Sequence, residues 1–226
     1  MASELFSPLI EHAIELAAQW HDGTYRKSRW RPAPFDAEGS LRIPVMAHLA
    51  NVAQLVASAG WDEAVVAAAY LHDILEDKNR EGVYFPYDKL IALMGEDVAM
   101  LVQAVSEQKV DDAGKPLQWR PRKDGYLAQL RAHGPRVAAI SLADKLHNLW
   151  TMNQALEAGI DIFSTSKTRR GLSAGAPQQY WYFTAVLAAT AHLDEPRLDA
   201  LRTPLQAELE RFATLTGTAP TESVDG

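Results

Sequence analysis

The sequence predicts an all-α fold. Apolar residues recur at three- and four-residue spacing in segment after segment, and no stretch of any length alternates apolar with polar residues. The breaks between segments fall on Gly, Pro, Asn and Asp, the residues that end helices and make turns. The expected architecture is a helical bundle in one domain, residues 1–215, followed by a flexible Thr/Pro/Ser/Gly-rich tail, 216–226.

Taken in order, Ser7-Pro8 is a helix start, a capping side chain followed by proline at the first helical position. Leu9, Ala13, Leu16, Ala17 and Trp20 carry that helix to His21-Asp22-Gly23. His21 reads as a residue that caps or packs the helix end. Tyr25-Arg26-Lys27-Ser28-Arg29-Trp30-Arg31 then crowds four cations into a loop, which is either a solvated run or an anion-binding edge. Residues 32–43 read as irregular. Val45 to Ala59 is a second helix with Leu49, Val52, Ala53 and Val56 on one stripe, and His48 lies beside that stripe. Gly60 ends it. Trp61-Asp62 opens a third, expected to run through Leu71 and on to Lys78-Asn79-Arg80. Shorter helices follow over 86–94 and 96–105, then a loop over 106–119. A second basic cluster, Arg120-Pro121-Arg122-Lys123, opens the next helix. His133-Gly134-Pro135 breaks it, and Val137 to Ala158 reads as a long helix buried on all sides. A polar loop with Lys167, Arg169 and Arg170 leads to a helix starting at Pro177 that carries Tyr180, Trp181, Tyr182 and Phe183. Leu198–Leu215 is the last.

The chain has 226 residues, 47% of them hydrophobic, a net charge of −7 and a pI near 5.5. That charge argues against a bulk nucleic-acid partner, which favours a basic surface. There is no cysteine, so disulfides, zinc–thiolate sites and thiol catalysis are excluded. No run is long enough for a membrane span and the N-terminus shows no signal pattern. The expectation is a soluble cytoplasmic protein with no membrane partner; its oligomeric state is open.

Against this apolar background one stretch stands out, Tyr70-Leu71-His72-Asp73-Ile74-Leu75-Glu76-Asp77. On a continuous helix His72 and Glu76 would share one face, and Asp73 and Asp77 the adjoining one. Asp144, Lys145, His147 and Asn148 form a second polar group inside the long buried helix. Each polar residue has a plain packing explanation. Taken together, His48, His72, Asp73 and Asp144 make an N/O set suited to Mn²⁺, Fe²⁺ or Zn²⁺ in a bundle core.

The order His48, His72-Asp73, Asp144 resembles the ligand pattern of HD-domain phosphohydrolases. Leu71-His72-Asp73-Ile74-Leu75-Glu76-Asp77 and Leu142-Ala143-Asp144-Lys145-Leu146-His147-Asn148-Leu149 are similar to segments of the hydrolase domain of RelA/SpoT-type proteins and of small stand-alone alarmone hydrolases. His21-Asp22-Gly23-Thr24-Tyr25-Arg26-Lys27 resembles that family's His-x-Gly-x-x-Arg-Lys element. The likeness covers about residues 8–190. It implies an HD-domain helical bundle with a metal site in its core and Mn²⁺-dependent release of pyrophosphate from (p)ppGpp. His48, His72, Asp73 and Asp144 would be ligands. Glu76 and Asp77 would handle water and protons, and Arg26, Lys27, Asn148 and Tyr182 would contact the nucleotide. Where the family has Pro-Tyr-Ile-x-His-Pro, this chain has Pro44-Val45-Met46-Ala47-His48-Leu49. That change in the substrate wall keeps two alternatives open. One is a phosphatase for another nucleotide, such as the 2′-phosphate of NADPH or a deoxynucleotide. The other is a non-catalytic nucleotide sensor.

Overall fold

The computed structural model describes residues 6–26, 43–111, 113–165 and 171–218, and among them all regular structure is helical. In chain order the helices are α1 (Pro8–Trp20), α2 (Met46–Ser58), α3 (Glu63–Leu71), α4 (Tyr87–Met94), α5 (Glu96–Val105), α6 (Trp119–Ala132), α7 (Pro135–Glu157), α8 (Ala176–Thr190) and α9 (Asp199–Thr216). The only extended pairings among the described residues are two isolated bridges, Tyr25 with Pro44 and Val110 with Pro116.

The starts obey local chemistry. The Ile10 amide donates to Ser7 Oγ at 3.3 Å, and Pro8 follows at the first helical position. Asp62 Oδ1 accepts from the amides of Ala64 and Val65 at 3.1 and 3.2 Å and so caps α3. Arg136, near the start of α7, donates to that same oxygen at 2.9 Å and forks onto both oxygens of Asp97 in α5. One guanidinium thus ties the first turns of three helices.

Two helices organise the packing. α3 is short and rich in small residues, with Ala67, Ala68 and Ala69 wholly buried, so α1, α2 and α5 can all pack on it. α7 runs through the middle against α2, α3, α5, α6, α8 and α9. Its Val137–Ala143 run, apolar but for Ser141, is buried on every side, as its near-continuous apolarity predicts. A single cluster of buried apolar side chains joins all nine of these helices. No described helix is long and apolar enough to cross a membrane.

Three expectations need revision or fall outside view. The third helix does not continue through residue 77: it ends at Leu71, and the chain tightens into successive turns. Ile74 N bonds Leu71 O at 2.9 Å, and the amides of Glu76 and Asp77 both bond Asp73 O, at 3.1 and 2.9 Å. The cause is side-chain competition for backbone partners. His72 Nδ1 takes the Ala69 carbonyl at 2.8 Å, and the indole of Trp20 in α1 donates to Asp77 O at 3.2 Å. α9 extends through Thr216, one residue past the expected tail boundary, before Gly217 turns the chain with φ +65°. The remaining tail calls, together with Lys27, Arg29, Lys167, Arg169 and Arg170, lie outside the described residues.

Candidate metal centre and its cavity

The turns after α3 and the middle of α7 meet at the floor of a cavity of about 340 Å³. His48 comes to this floor from the first turn of α2. Its position depends on a clamp between the residues that follow α1 and those that precede α2. Gly23 (φ +67°) reverses the chain after α1, and Arg26 N bonds Ile43 O at 2.8 Å while Val45 N bonds Thr24 O at 3.2 Å. The clamp sets the start of α2 and also sends Arg26 into the cavity, where its Nη2 donates to Asn148 Oδ1 at 2.5 Å.

One nitrogen of His48, one of His72 and one oxygen of Asp144 all lie within 4.8 Å of one another. His48 Nε2 is 3.0 Å and His72 Nε2 3.8 Å from Asp144 Oδ1. Asp73 stands at the edge of this set, with Oδ1 3.4 Å from His72 Nε2. Because His72 donates its Nδ1–H to Ala69 O, its Nε2 carries the lone pair. That nitrogen is buried and has no hydrogen-bond partner among the described residues. An orphaned imidazole nitrogen aimed at two carboxylates fits a divalent cation of intermediate hardness. These residues could hold one.

The electrostatics agree. Burial, with Arg26 adding to it, holds the His48 imidazole well below its ordinary range, so it stays neutral. Burial also pushes His72 down, but Asp73 and Asp144 outweigh it and raise it overall; the same carboxylates would favour any cation at that nitrogen. Asp144 is pushed up by burial and brought well below the usual range by Lys145, then by His48 and His72. Lys145 Nζ donates to Asp144 Oδ2, and Asn148 Nδ2 donates to Oδ1 at 2.5 Å.

Glu76 and Asp77 sit beside this floor and line the cavity. Burial pushes the Glu76 carboxyl up to about 7, with Lys109 opposing and Asp73 adding. Lys109 Nζ reaches Glu76 Oε2 at 3.3 Å, the Glu76 carbonyl at 3.0 Å and Asp77 Oδ1 at 3.0 Å. Glu76 Oε1 also accepts from the Glu107 amide at 2.8 Å. A carboxyl poised near neutrality can take or give a proton. Tyr182 lies in the opposite wall among Trp119, Tyr126, Trp181 and Phe183.

Of the residues singled out in the sequence, the fold thus gathers His48, His72 and Asp144 tightly and sets Asp73 at their edge. It pairs Arg26 with Asn148, and brings Glu76, Asp77 and Tyr182 to one cavity. His21 is buried at the end of α1, its amide bonded to Ala17 O and its Nε2 without a partner among the described residues. Sequence reasoning did not find the roles of four neighbours. His147 packs against His48, Lys145 neutralises Asp144, and Glu107 and Lys109 hold Glu76. His147 could have been found, since it lies three residues from Asp144 on one helix. Glu107 and Lys109 come from a loop and carry no periodic signal.

The family model described as "HD domain" matches residues 33–168, more than half of the chain. A probable guanosine-3′,5′-bis(diphosphate) 3′-pyrophosphohydrolase of Synechocystis sp. is 32% identical over 127 residues, covering 56% of this chain and 15% of the relative. The guanosine-3′,5′-bis(diphosphate) 3′-pyrophosphohydrolase of Aquifex aeolicus is 33% identical over 145 residues, 63% of this chain and 18% of the relative. The chain therefore spans less than a fifth of the length of these curated relatives. Among solved structures, one described as a metazoan ortholog of SpoT that hydrolyzes ppGpp superposes with a TM-score of 0.61 at 21% identity, covering 96% of this chain and 100% of that one. A protein of Listeria monocytogenes EGD-e superposes with a TM-score of 0.56 at 27% identity, over 76% of this chain and 94% of its own.

Proposed function

Because the chain belongs to the HD-domain family, we propose that it is a metal-dependent phosphohydrolase of the RelA/SpoT type, releasing pyrophosphate from the 3′ position of (p)ppGpp and leaving GDP or GTP. The observation that carries this reading is the buried donor set of His48, His72 and Asp144, two of which, His48 and Asp144, line a cavity together with Glu76 and Asp77. The names of the relatives supply the nucleotide.

Mn²⁺ is the cation we assign, with Asp73 joining the three gathered donors. Bound there, it would supply a Lewis acid for a phosphate oxygen and a water of lowered pKa. The chain's own residues do the rest. Glu76, half-protonated near neutral pH, accepts the proton of the attacking water, and Asp77, tied to the same ammonium of Lys109, orients it. Arg26 presents its guanidinium to phosphate oxygens from a position fixed by Asn148. Lys27 follows it in sequence and is assigned the same task. Asn148 and Tyr182 border the space left for the nucleoside, and the Tyr182 hydroxyl has no hydrogen-bond partner among the described residues.

The test is direct. Purified protein with Mn²⁺ should release pyrophosphate from (p)ppGpp and stop when the metal is chelated. Asp77→Asn should lower turnover by about 10²–10⁴-fold while nucleotide binding persists. Absence of turnover at every metal loading would end the proposal.

A second reading is favoured by Val45. It is buried in the cavity lining where the resembled family has tyrosine. A different phosphorylated nucleotide, NADPH or a deoxynucleotide, would then be the substrate. A nucleotide panel separates the two readings by product, pyrophosphate or orthophosphate.

A further inference from the structure

One wall of the cavity is built from aromatic rings and from two cations that the proposed chemistry does not use. α6 contributes Trp119, Arg122 and Lys123, and α8 contributes Tyr182. Arg122 and Lys123 are largely buried, their side chains 24% and 15% exposed. Two neighbouring buried cations are costly unless something anionic faces them. The fold provides one carboxylate, Glu107. Lys123 Nζ donates to Glu107 Oε2 at 2.6 Å, and Arg122 Nε lies 3.2 Å from Oε1.

That arrangement leaves polar atoms unserved. Arg122 Nε, Glu107 Oε1 and the Tyr182 hydroxyl are all buried without a hydrogen-bond partner among the described residues, so the 3.2 Å approach of the first two is not a hydrogen bond. Lys123 Nζ also lies over the Tyr182 ring, 4.6 Å from its centre. A carboxylate has two oxygens and one charge to offer two cations and a hydroxyl. A terminal phosphate offers three oxygens and a charge near −2, and guanidinium and ammonium groups bind it well.

We propose that Arg122 and Lys123 form a subsite for the outer phosphate of a diphosphate, and that the Glu107 carboxylate occupies this subsite in the free protein and yields it when the phosphate enters. The choice of a diphosphate rests on the activity proposed above; the cation pair and its internal carboxylate do not. Glu107 also links the subsite to the reacting groups. Its side chain faces Lys123 and Arg122, while its own amide donates to Glu76 Oε1 at 2.8 Å. Filling the subsite therefore bears on the residue that places Glu76.

Inorganic pyrophosphate is the probe, titrated calorimetrically against the metal-free protein, with orthophosphate as the comparison. Pyrophosphate should bind at least tenfold tighter than orthophosphate. Arg122→Gln and Lys123→Gln should each lower the pyrophosphate affinity about tenfold, and Lys123→Arg should restore it. Glu107→Gln removes the competing charge but keeps the amide, so pyrophosphate should then bind about tenfold tighter. Should Lys123→Gln fail to fold in a thermal melt, Glu107→Gln and Lys123→Arg still read the proposal. Unchanged pyrophosphate affinity in the Gln variants, or weaker binding in Glu107→Gln, would overturn it. The binding shifts do not depend on turnover. Their presence without (p)ppGpp hydrolysis would sink the proposed activity alone, and hydrolysis without the shifts would sink the subsite alone.

Discussion

His48 and His147 meet nitrogen to nitrogen, Nδ1 to Nδ1 at 2.7 Å, both buried. Two imidazole nitrogens at that distance share one proton, so one ring donates and the other accepts. If His48 donates, its Nε2 keeps a lone pair toward Asp144 and His72, the tautomer a metal ligand needs. His147 is thus the residue that orients His48. Replacing it with Ala should lower Mn²⁺ affinity by about 10–100-fold with the fold retained, measured by metal titration. His147→Gln, which keeps an acceptor oxygen, should recover part of the loss. Equal affinity in all three proteins would show that His147 only packs.

A cation held by His48, His72 and Asp144 would bind the folded chain and not the unfolded one. At a Mn²⁺ concentration 100 times its Kd, linkage gives about 2.7 kcal/mol of stabilisation. For a chain of this size that is a rise in Tm of roughly 5–10 °C. Differential scanning calorimetry should show the rise in the wild type and lose it in His72→Ala. A Tm indifferent to Mn²⁺ in the wild type would count against the site.

Glu76 gives a pH dependence with a definite sign. Its carboxyl is raised from 4.5 to about 7 in the fold, so the folded chain holds this proton more tightly than the unfolded one. The stabilisation is present in full below about pH 4.5 and is lost as pH rises to about 7. The shift corresponds to a loss on the order of 3 kcal/mol. Urea unfolding of metal-free protein at pH 5 and pH 8 should show it as a difference between the wild type and Glu76→Gln. Lys109→Met, which removes the opposing cation, should move the transition to higher pH. A parallel pH response in wild type and Glu76→Gln would refute the assignment.

Asn148 joins Arg26 to Asp144, accepting from one and donating to the other, each at 2.5 Å. Asn148→Ala breaks both bonds to charged groups. Such bonds contribute about 1.5–3 kcal/mol each, so kcat/KM should fall about 10–100-fold. The loss should appear mainly in KM, since Arg26 would no longer be held for the nucleotide.

Asp62 caps α3 and pairs with Arg136 far from the cavity. Asp62→Ala should cost about 1–2 kcal/mol, a fall in Tm of roughly 2–8 °C, with metal affinity unchanged. A matching loss of metal affinity would mean that the start of α3 controls the turn that carries His72.

Most helices were legible in the sequence because their cause is local. Ser7-Pro8 and Trp61-Asp62 announce helix starts, His133-Gly134-Pro135 announces a break, and the apolar run Val137–Ala143 announces a buried rod. The stretch from His72 to Asp77 was misread as helix because its composition is compatible with one. What bends it is an imidazole bond to Ala69 O and an indole from Trp20 to Asp77 O, the latter spanning 57 positions. The cluster of His48, His72 and Asp144 was foreseen through family resemblance; spacing alone left it open beside a plain packing explanation. The supports of the site were not foreseen. Lys109 and Glu107 lie in a loop whose course is set by tertiary contacts, and no periodicity marks a residue that acts through its backbone amide.

α7 carries Asp144, Lys145, His147 and Asn148 on a single rod gripped along its length by six other helices. Their relative placement follows from helical pitch, 1.5 Å and 100° per residue, and cannot drift one residue at a time. Random mutation has little room for gradual tuning here. A change in the apolar stretch that shifts the rod displaces the Asp144 carboxylate, the imidazole that orients His48 and the amide that holds Arg26 together. Variants of this protein should accordingly fall into two populations, near-normal or inactive, with intermediates arising chiefly from the loops that bear Arg26 and Glu107.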